Sequence, residues 1–169
     1  LCLTATPIPR SLALTIYGEL DISIVKSAPT TRAGVKTELI SPNSTLQMYQ
    51  QVKKSVQAGR QAFIVCPLIE DSENSKLTSA DQIYKELTRG IFKDLAVGLV
   101  HGKLKPTEKN QIMSDFTQNK IQVLVATTVV EVGIDVPNAT EMVILNADRF
   151  GLAQLHQLRG RVGRGVHGA

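Results

Sequence analysis

The stretch Gln122-Val123-Leu124-Val125-Ala126 decides the fold, because a short apolar run of this kind is typical of a strand in a parallel sheet with both faces covered. Runs of the same type recur and alternate with amphipathic stretches. They predict strands at 35–40, 62–67, 95–101, 122–126 and 141–145, and helices at 45–58, 79–89, from 106 onward and at 152–161. This alternation predicts an α/β fold with a parallel sheet and helices on both faces.

Capping and breaking residues support several helix boundaries. Ser44 is suited to the N-cap of the helix that starts at 45, and Gly59 is suited to its end. Pro106 can open a helix at its first turn, with Ile112 and Phe116 on its inward face. In such sheets ligands gather at the carboxyl ends of the strands, so we expect functional side chains in the loops that follow them.

Composition limits the possible partners. The chain has 169 residues, a formal net charge of +4 and a pI near 9.2, which permits a polyanionic partner. Aromatic residues make up 4% and Trp is absent, so contact with a nucleic-acid backbone is favoured over base stacking. No apolar run is long enough to span a bilayer, so no membrane partner is expected. Cys2 and Cys66 lack metal-ligand spacing, which predicts free thiols, no metal site and a cytoplasmic location.

The first part of the chain departs from this alternation. Leu12, Leu14 and Ile16 predict a helix, and residues 28–34 resemble a linker. We interpret residues 1–34 as the tail of a preceding domain plus a hinge. Residues 35–169 then form the main domain.

The segment Gln157-Leu158-Arg159-Gly160-Arg161-Val162-Gly163-Arg164 carries the strongest chemical signal. Helical spacing would align Gln157, Arg161 and Arg164 on one face. Guanidinium groups are planar, permanently charged forks that suit phosphate oxygens, so the pattern indicates a triphosphate-binding site. The alternative is a solvated basic helix end, since cations are favourable at a helix C-terminus.

A second block follows the strand at 122–126. Thr127 lies at the carboxyl end of that strand, where hydroxyl and backbone N–H groups can bind a phosphate. Gly133 permits close backbone approach, and Asp135 can accept from a sugar hydroxyl or hold an Arg. The alternative is structural: Asp135 fixes the turn before Pro137, and a Thr caps a helix start.

Together these blocks resemble a known family. Thr-Ala-Thr-Pro-Ile-Pro-Arg at 4–10, the Ala-Thr-Thr…Gly-Ile-Asp block and Gln-x-x-Gly-Arg-x-Gly-Arg follow the order of motifs III, V and VI in superfamily 2 helicases. Cys-Pro-Leu-Ile-Glu at 66–70, Leu-Val-His-Gly-Lys-Leu-Lys at 99–105 and residues 150–161 resemble the RecG-type branched-DNA helicases. The Mfd-type transcription-repair coupling translocases share residues 4–10 and the last segment but differ at 66–70.

The resemblance implies a RecA-like second motor domain that uses ATP with Mg²⁺. Arg161 and Arg164 resemble the arginine fingers that meet the γ-phosphate, and such fingers contribute about 10³–10⁵ in rate in GTPases. Gln157 resembles the amide that couples the nucleotide to domain closure. Asp135 resembles the motif V acid near the ribose or the arginines, and Gly133 lies in the same loop.

The resemblance also implies contacts with branched double-stranded DNA through its phosphate backbone. Thr127 resembles the residue that holds a phosphate of the tracked strand. His101, Gly102 and Lys103 resemble a further motif that meets the DNA backbone. A lone His at a strand end is also compatible with a structural role.

Motif III belongs to the first motor domain of such enzymes. Thr4, Thr6 and Arg10 resemble its coupling residues, so residues 1–34 would be a remnant of that domain plus a hinge. Residues 35–169 would be the second motor domain, truncated at its last strand. The chain contains no G-x-x-x-x-G-K-[ST] loop, so ATP would be held mainly by the first RecA-like domain of the same parent chain. We therefore expect no ATP hydrolysis by this chain alone. A stand-alone α/β nucleotide- or nucleic-acid-binding module is the alternative outside the helicases.

Overall fold

The computed structural model describes residues 34–67, 79–127, 136–165 and 168–169. Within these ranges four strands form one parallel sheet in the order β2-β3-β1-β4. The strands are β1 (Gln61–Val65), β2 (Val97–Val100), β3 (Val123–Ala126) and β4 (Ala139–Ile144). The stretch that decided the predicted fold is therefore a central strand, flanked by β1 and β2.

Four helices connect and cover the strands: α1 (Thr45–Gln57), α2 (Ser79–Arg89), α3 (Pro106–Thr117) and α4 (Leu152–Arg159). Short 3₁₀ turns lie at Pro42–Ser44 and Ala147–Arg149. Pro106 opens α3 as predicted. Ser44 is the N-cap residue of α1, although its side chain makes no capping hydrogen bond, and Gly59 follows the helix with φ +88°. That left-handed conformation is accessible to glycine without strain, so Gly59 ends the helical run.

Alternate strand residues point to opposite faces of the sheet and build two cores. Phe63, Leu124 and Val100 pack on one face with Phe116 of α3 and Leu158 of α4. The other face, covered by α1 and α2, is built from a second set: Ala62, Ile64, Val123, Val125, Val52, Val56, Ala80 and Leu87. Helices therefore cover both faces of a parallel sheet, which confirms the predicted α/β architecture.

The predicted strand at 35–40 is wrong. The residues on either side of its first position make two backbone hydrogen bonds with Ala169, from Lys36 N–H to the Ala169 carbonyl (2.7 Å) and from Ala169 N–H to the Gly34 carbonyl (3.2 Å). None of residues 34–40 is nevertheless part of the sheet, and Leu39 is 97% exposed. Apolar composition predicted a strand here, but an extended segment becomes a strand only where a neighbouring strand pairs with it.

Within the described ranges, the other predicted strands and helices are confirmed to within a few residues, and α4 ends at Arg159 rather than at residue 161. Residues 1–33, including the helix predicted around Leu12, Leu14 and Ile16, lie outside the described residues. No helix in the described parts of the chain is both long enough and apolar enough to cross a bilayer.

Candidate functional site

The segment from α4 to Gly165 is held by apolar anchors. Leu158 is fully buried and Val162 is 5% exposed, and both pack in the core with Val136 and Phe150. At the other end of the helix, the Gly151 N–H donates to Oε1 of Gln154 at 3.1 Å. Buried apolar residues on both sides of a polar residue restrict the position of the backbone that carries it. Arg161, between Leu158 and Val162 in sequence, is therefore placed by the core.

The arginines are positioned by a turn rather than by a helix face. α4 ends at Arg159, Gly160 is its C-cap, and Gly163 has φ +66°. The prediction that Gln157, Arg161 and Arg164 share one helix face is therefore wrong. Glycine adopts the left-handed conformation at little cost, and it redirects the chain before Arg164.

Backbone and side-chain hydrogen bonds hold this turn. The Arg161 N–H donates to the Leu158 carbonyl at 2.9 Å, and Nε of Arg164 donates to the Gly160 carbonyl at 2.8 Å. Arg161, Arg164 and Gln157 are each partly exposed. The turn thus holds Arg161 and Arg164 at partly exposed positions, where guanidinium groups are suited to meet an anion.

Gly165 ends the segment in close contact with the chain before β4. A Cβ at this position would lie 2.5 Å from the Pro137 carbonyl oxygen. Pro137 follows Asp135 by two residues, so the arginine segment packs against the chain that leads out of the Gly133–Asp135 block. Gly133 and Asp135 themselves lie outside the described residues, and their roles stay predictions. The same holds for Thr4, Thr6 and Arg10.

The predicted DNA-binding residues lie at the carboxyl ends of β2 and β3. Thr127 extends the ladder, with its N–H donating to the Val100 carbonyl at 3.2 Å. His101 follows β2, and its Nε2 lies 3.9 Å from Oδ1 of Asp81 in the first turn of α2. Gly102 and Lys103 form an exposed turn. The sheet therefore brings the four predicted residues to one edge.

Burial distinguishes these four residues. Lys103 and Gly102 are accessible to a phosphate backbone, whereas Thr127 is fully buried. Neither Oγ1 of Thr127 nor Nδ1 of His101 has a hydrogen-bond partner among the described residues, and both atoms are buried. A buried polar atom without a partner is costly, so this edge is where a ligand or a rearrangement would satisfy both atoms.

The two groups of residues lie on different faces of the sheet. Leu158 and Val162 pack in the core on the face covered by α3 and α4. On β2 and β3, the alternate residues whose pattern leads to His101 and Thr127 pack on the other face, against α1 and α2. The arginine segment and the predicted DNA-binding residues are therefore separated by the sheet, which both groups contact.

Cys66 lies at the same edge as Thr127. It is a buried free thiol, as predicted, and burial raises its pKa to about 11. Cys2 lies outside the described residues. In the described ranges we find no group of three or more His, Cys, Asp or Glu side chains that could hold a metal ion.

Sequence reasoning missed Asp81, Leu158 and Val162 as parts of the site. Asp81 carries no local signal, because an acid in the first turn of a helix is also explained by the helix dipole. The two anchors could have been found, since apolar residues four apart bracket Arg161 in an otherwise polar segment.

Comparison with known proteins places the chain among helicases. A family model described as "Helicase conserved C-terminal domain" matches residues 44–166. The ATP-dependent DNA helicase RecG of Bacillus subtilis is 50% identical over 167 residues, which cover 99% of this chain and 24% of the relative. RecG of Synechocystis is 49% identical over 167 residues, which cover 99% of this chain and 20% of the relative. The chain therefore spans about a fifth to a quarter of the length of these relatives.

A solved structure supports the same grouping. RecG bound to a three-way DNA junction is 48% identical, with a TM-score of 0.78. The match covers 95% of this chain and 21% of that one.

Proposed function

Because the chain belongs to the helicase conserved C-terminal domain family, we propose that it is the second RecA-like motor domain of a RecG-type ATP-dependent DNA helicase. The parent enzyme would remodel branched double-stranded DNA such as stalled forks and Holliday junctions in the bacterial cytosol. Identities of 49–50% to two RecG proteins along essentially the whole chain support the RecG type over the transcription-repair coupling type. The observation that carries the proposal is the anchored turn that presents Arg161 and Arg164.

The arginine segment would act on ATP held mainly by the first RecA-like domain of the same parent. When bound with Mg²⁺, ATP supplies the γ-phosphoryl group that is transferred to water. Arg161 and Arg164 would place positive charge beside that group, where charge develops in the transition state. Gln157, on the last turn of α4, would sense closure of the cleft, with Asp135 and Gly133 from the neighbouring block.

These residues fit an anionic ligand for a physical reason. Leu158 and Val162 are locked in the core, so the turn between them is held before the ligand arrives. Preorganised charge stabilises a transition state with less reorganisation than mobile charge. The Arg164 side chain is further restricted by its hydrogen bond to Gly160.

The carboxyl edge of β2 and β3 would form part of the DNA track. Lys103 and Gly102 are exposed and can contact backbone phosphates directly. Thr127 and His101 would join this contact after a rearrangement that exposes Thr127, because its hydroxyl is buried. Thr4, Thr6 and Arg10 would link the nucleotide and DNA sites from the first motor domain.

The test uses the intact parent protein, with forked DNA and ATP. Arg161→Ala and Arg164→Ala should each lower DNA-stimulated ATP hydrolysis by about 10³-fold or more. Arg159→Ala is the matched control, because Arg159 is exposed and donates to the Val35 carbonyl at 3.4 Å. It should stay within about threefold of wild type, since surface changes are usually small. Finger variants that hydrolyse ATP as fast as the Arg159 variant would refute the proposal.

A further inference from the structure

One short segment joins the predicted hinge to the domain that carries the arginines. Two backbone hydrogen bonds hold it: the Lys36 N–H donates to the Ala169 carbonyl at 2.7 Å, and the Ala169 N–H donates to the Gly34 carbonyl at 3.2 Å. Ala169 thus bonds to the residues on both sides of Val35, as paired residues on parallel strands do. These two bonds fix both the place and the direction of the chain at Val35.

The Val35 side chain adds an apolar anchor to these bonds. Of residues 34–40, Val35 is the one that is not exposed. Its side chain packs against the core cluster that contains Leu158 and Val162, and Ala169 packs against the same cluster. The attachment of this segment to the domain therefore depends on one apolar side chain and on the backbone around it.

The same core holds the arginine segment. Leu158 is fully buried and Val162 is 5% exposed, and they lie on either side of Arg161 in sequence. Protein interiors are close-packed and have low compressibility, so a displacement on one side of a cluster is transmitted to the other. In addition, Nη2 of Arg159, the last residue of α4, donates to the Val35 carbonyl at 3.4 Å. That contact is long and exposed, so the packing of Val35 is the stronger attachment.

We propose that Val35 is a positioning residue that fixes the linker between the two motor domains to the core that holds the arginine segment. This inference rests on the proposed function, in which the first motor domain mainly holds ATP and this domain supplies the arginines. With Val35 anchored, the free linker ends at Gly34, and a movement of the first motor domain is passed to the arginines through a packed core. Val35 thus acts on ATP hydrolysis through the arginines.

The size of the effect follows from the length of free linker. Without the anchor, the chain would be unattached from the predicted hinge to the 3₁₀ turn at Pro42–Ser44. Residues 35–41 equal the predicted hinge at 28–34 in length, so the free linker would double. The effective concentration of two linked groups falls roughly as the −3/2 power of linker length, so doubling lowers it about threefold. Loss of a fixed direction at Val35 would lower the rate further.

The test uses the intact parent protein with forked DNA and measures kcat and KM for ATP. Val35→Asp releases the segment, because a charge is costly to bury in a partly buried apolar site. We expect kcat to fall by about threefold or more. KM for ATP should stay unchanged, because the first motor domain mainly holds the nucleotide.

Two variants serve as matched controls. Thr37→Asp adds the same charge to the same segment at an exposed position, so it should leave kcat at the wild-type value. Val35→Ile keeps the apolar contact and should also match wild type.

Amide hydrogen exchange measures the attachment itself. In Val35→Asp, exchange should become faster in residues 34–40, while the amides of β1 and β3 keep their wild-type protection. Val35→Ala removes the apolar contact without burying a charge, so it gives the same comparison if Val35→Asp does not fold.

The outcomes separate the two claims. Faster exchange in residues 34–40 together with a kcat equal to that of Thr37→Asp would overturn the role of Val35 and leave the proposed function standing. Unchanged exchange in the Val35→Asp and Val35→Ala proteins would show that Val35 does not hold the segment, which also overturns the inference. The proposed function fails on a different result, namely an Arg161→Ala enzyme as active as Arg159→Ala.

Discussion

Gly165→Ala tests whether close packing positions the arginine segment. The added Cβ would lie 2.5 Å from the Pro137 carbonyl oxygen and 3.3 Å from its carbon. Ordinary contact begins near 3.4 Å, so the chain must separate by about 1 Å. Overpacking of this kind costs about 1–3 kcal/mol. Backbone atoms cannot rotate away as a flexible side chain can, so Arg164, next to Gly165, would move with it.

Gly165→Ala is expected to lower both the activity of the enzyme and the stability of the domain. A catalytic group that is displaced by about 1 Å can lower the reaction rate by about 10²-fold, because it no longer meets the reacting atoms in the required geometry. We therefore expect Gly165→Ala in the intact parent to lower DNA-stimulated ATP hydrolysis by about 10²-fold. Urea denaturation followed by circular dichroism should show a decrease of about 1–3 kcal/mol in the unfolding free energy of the domain.

Gly34→Ala is the matched control, because a Cβ there would have no atom within 4 Å. It should leave hydrolysis unchanged and leave stability equal or slightly raised, since alanine restricts the unfolded chain. A Gly165→Ala enzyme as active and as stable as the Gly34 variant would refute the claim that contact with Pro137 positions the arginines.

Three further predictions concern the core that supports the site. Leu158→Ala should destabilise the domain by about 2–5 kcal/mol in urea denaturation, whereas Leu152→Ala should have little effect because Leu152 is 86% exposed. Gln61→Leu should lower the unfolding free energy by about 1–3 kcal/mol in the same assay. The reason is that Nε2 of Gln61 donates to two backbone carbonyls, at 2.6 and 2.9 Å, which would lose their partner. An unchanged denaturation midpoint would contradict this prediction. Burial raises the pKa of Cys66 from 9.0 to about 11, so the contribution of the neutral thiol to the unfolding free energy should be complete below pH 9 and fall as pH rises towards 11. Cys66→Ala should therefore reduce the loss of unfolding free energy between pH 9 and pH 11.

The fold was predictable because its signals are local and repeated. Short apolar runs and their alternation with amphipathic stretches gave four strands, four helices and a parallel sheet with both faces covered. Caps and breakers such as Pro106 and Gly59 set boundaries through backbone geometry, which sequence reveals directly.

The errors and omissions depend on contacts between distant residues. Val35–Ile40 has strand composition, but strand formation requires a partner that composition does not reveal. The alignment of Gln157, Arg161 and Arg164 failed because glycine ended α4 before the arginines. The pairing of Asp81 with His101 joins residues from different elements, so no local pattern could have indicated it.

The most direct test of the central claim is the rate of the chemical step itself. The intact parent, loaded with ATP and forked DNA, is followed by rapid quench in a single turnover, with ATP affinity measured separately. The account predicts that Arg161→Ala slows γ-phosphate cleavage by about 10³-fold or more, while Arg159→Ala cleaves at close to the wild-type rate. Equal cleavage rates in the two variants, at saturating ATP, would contradict it.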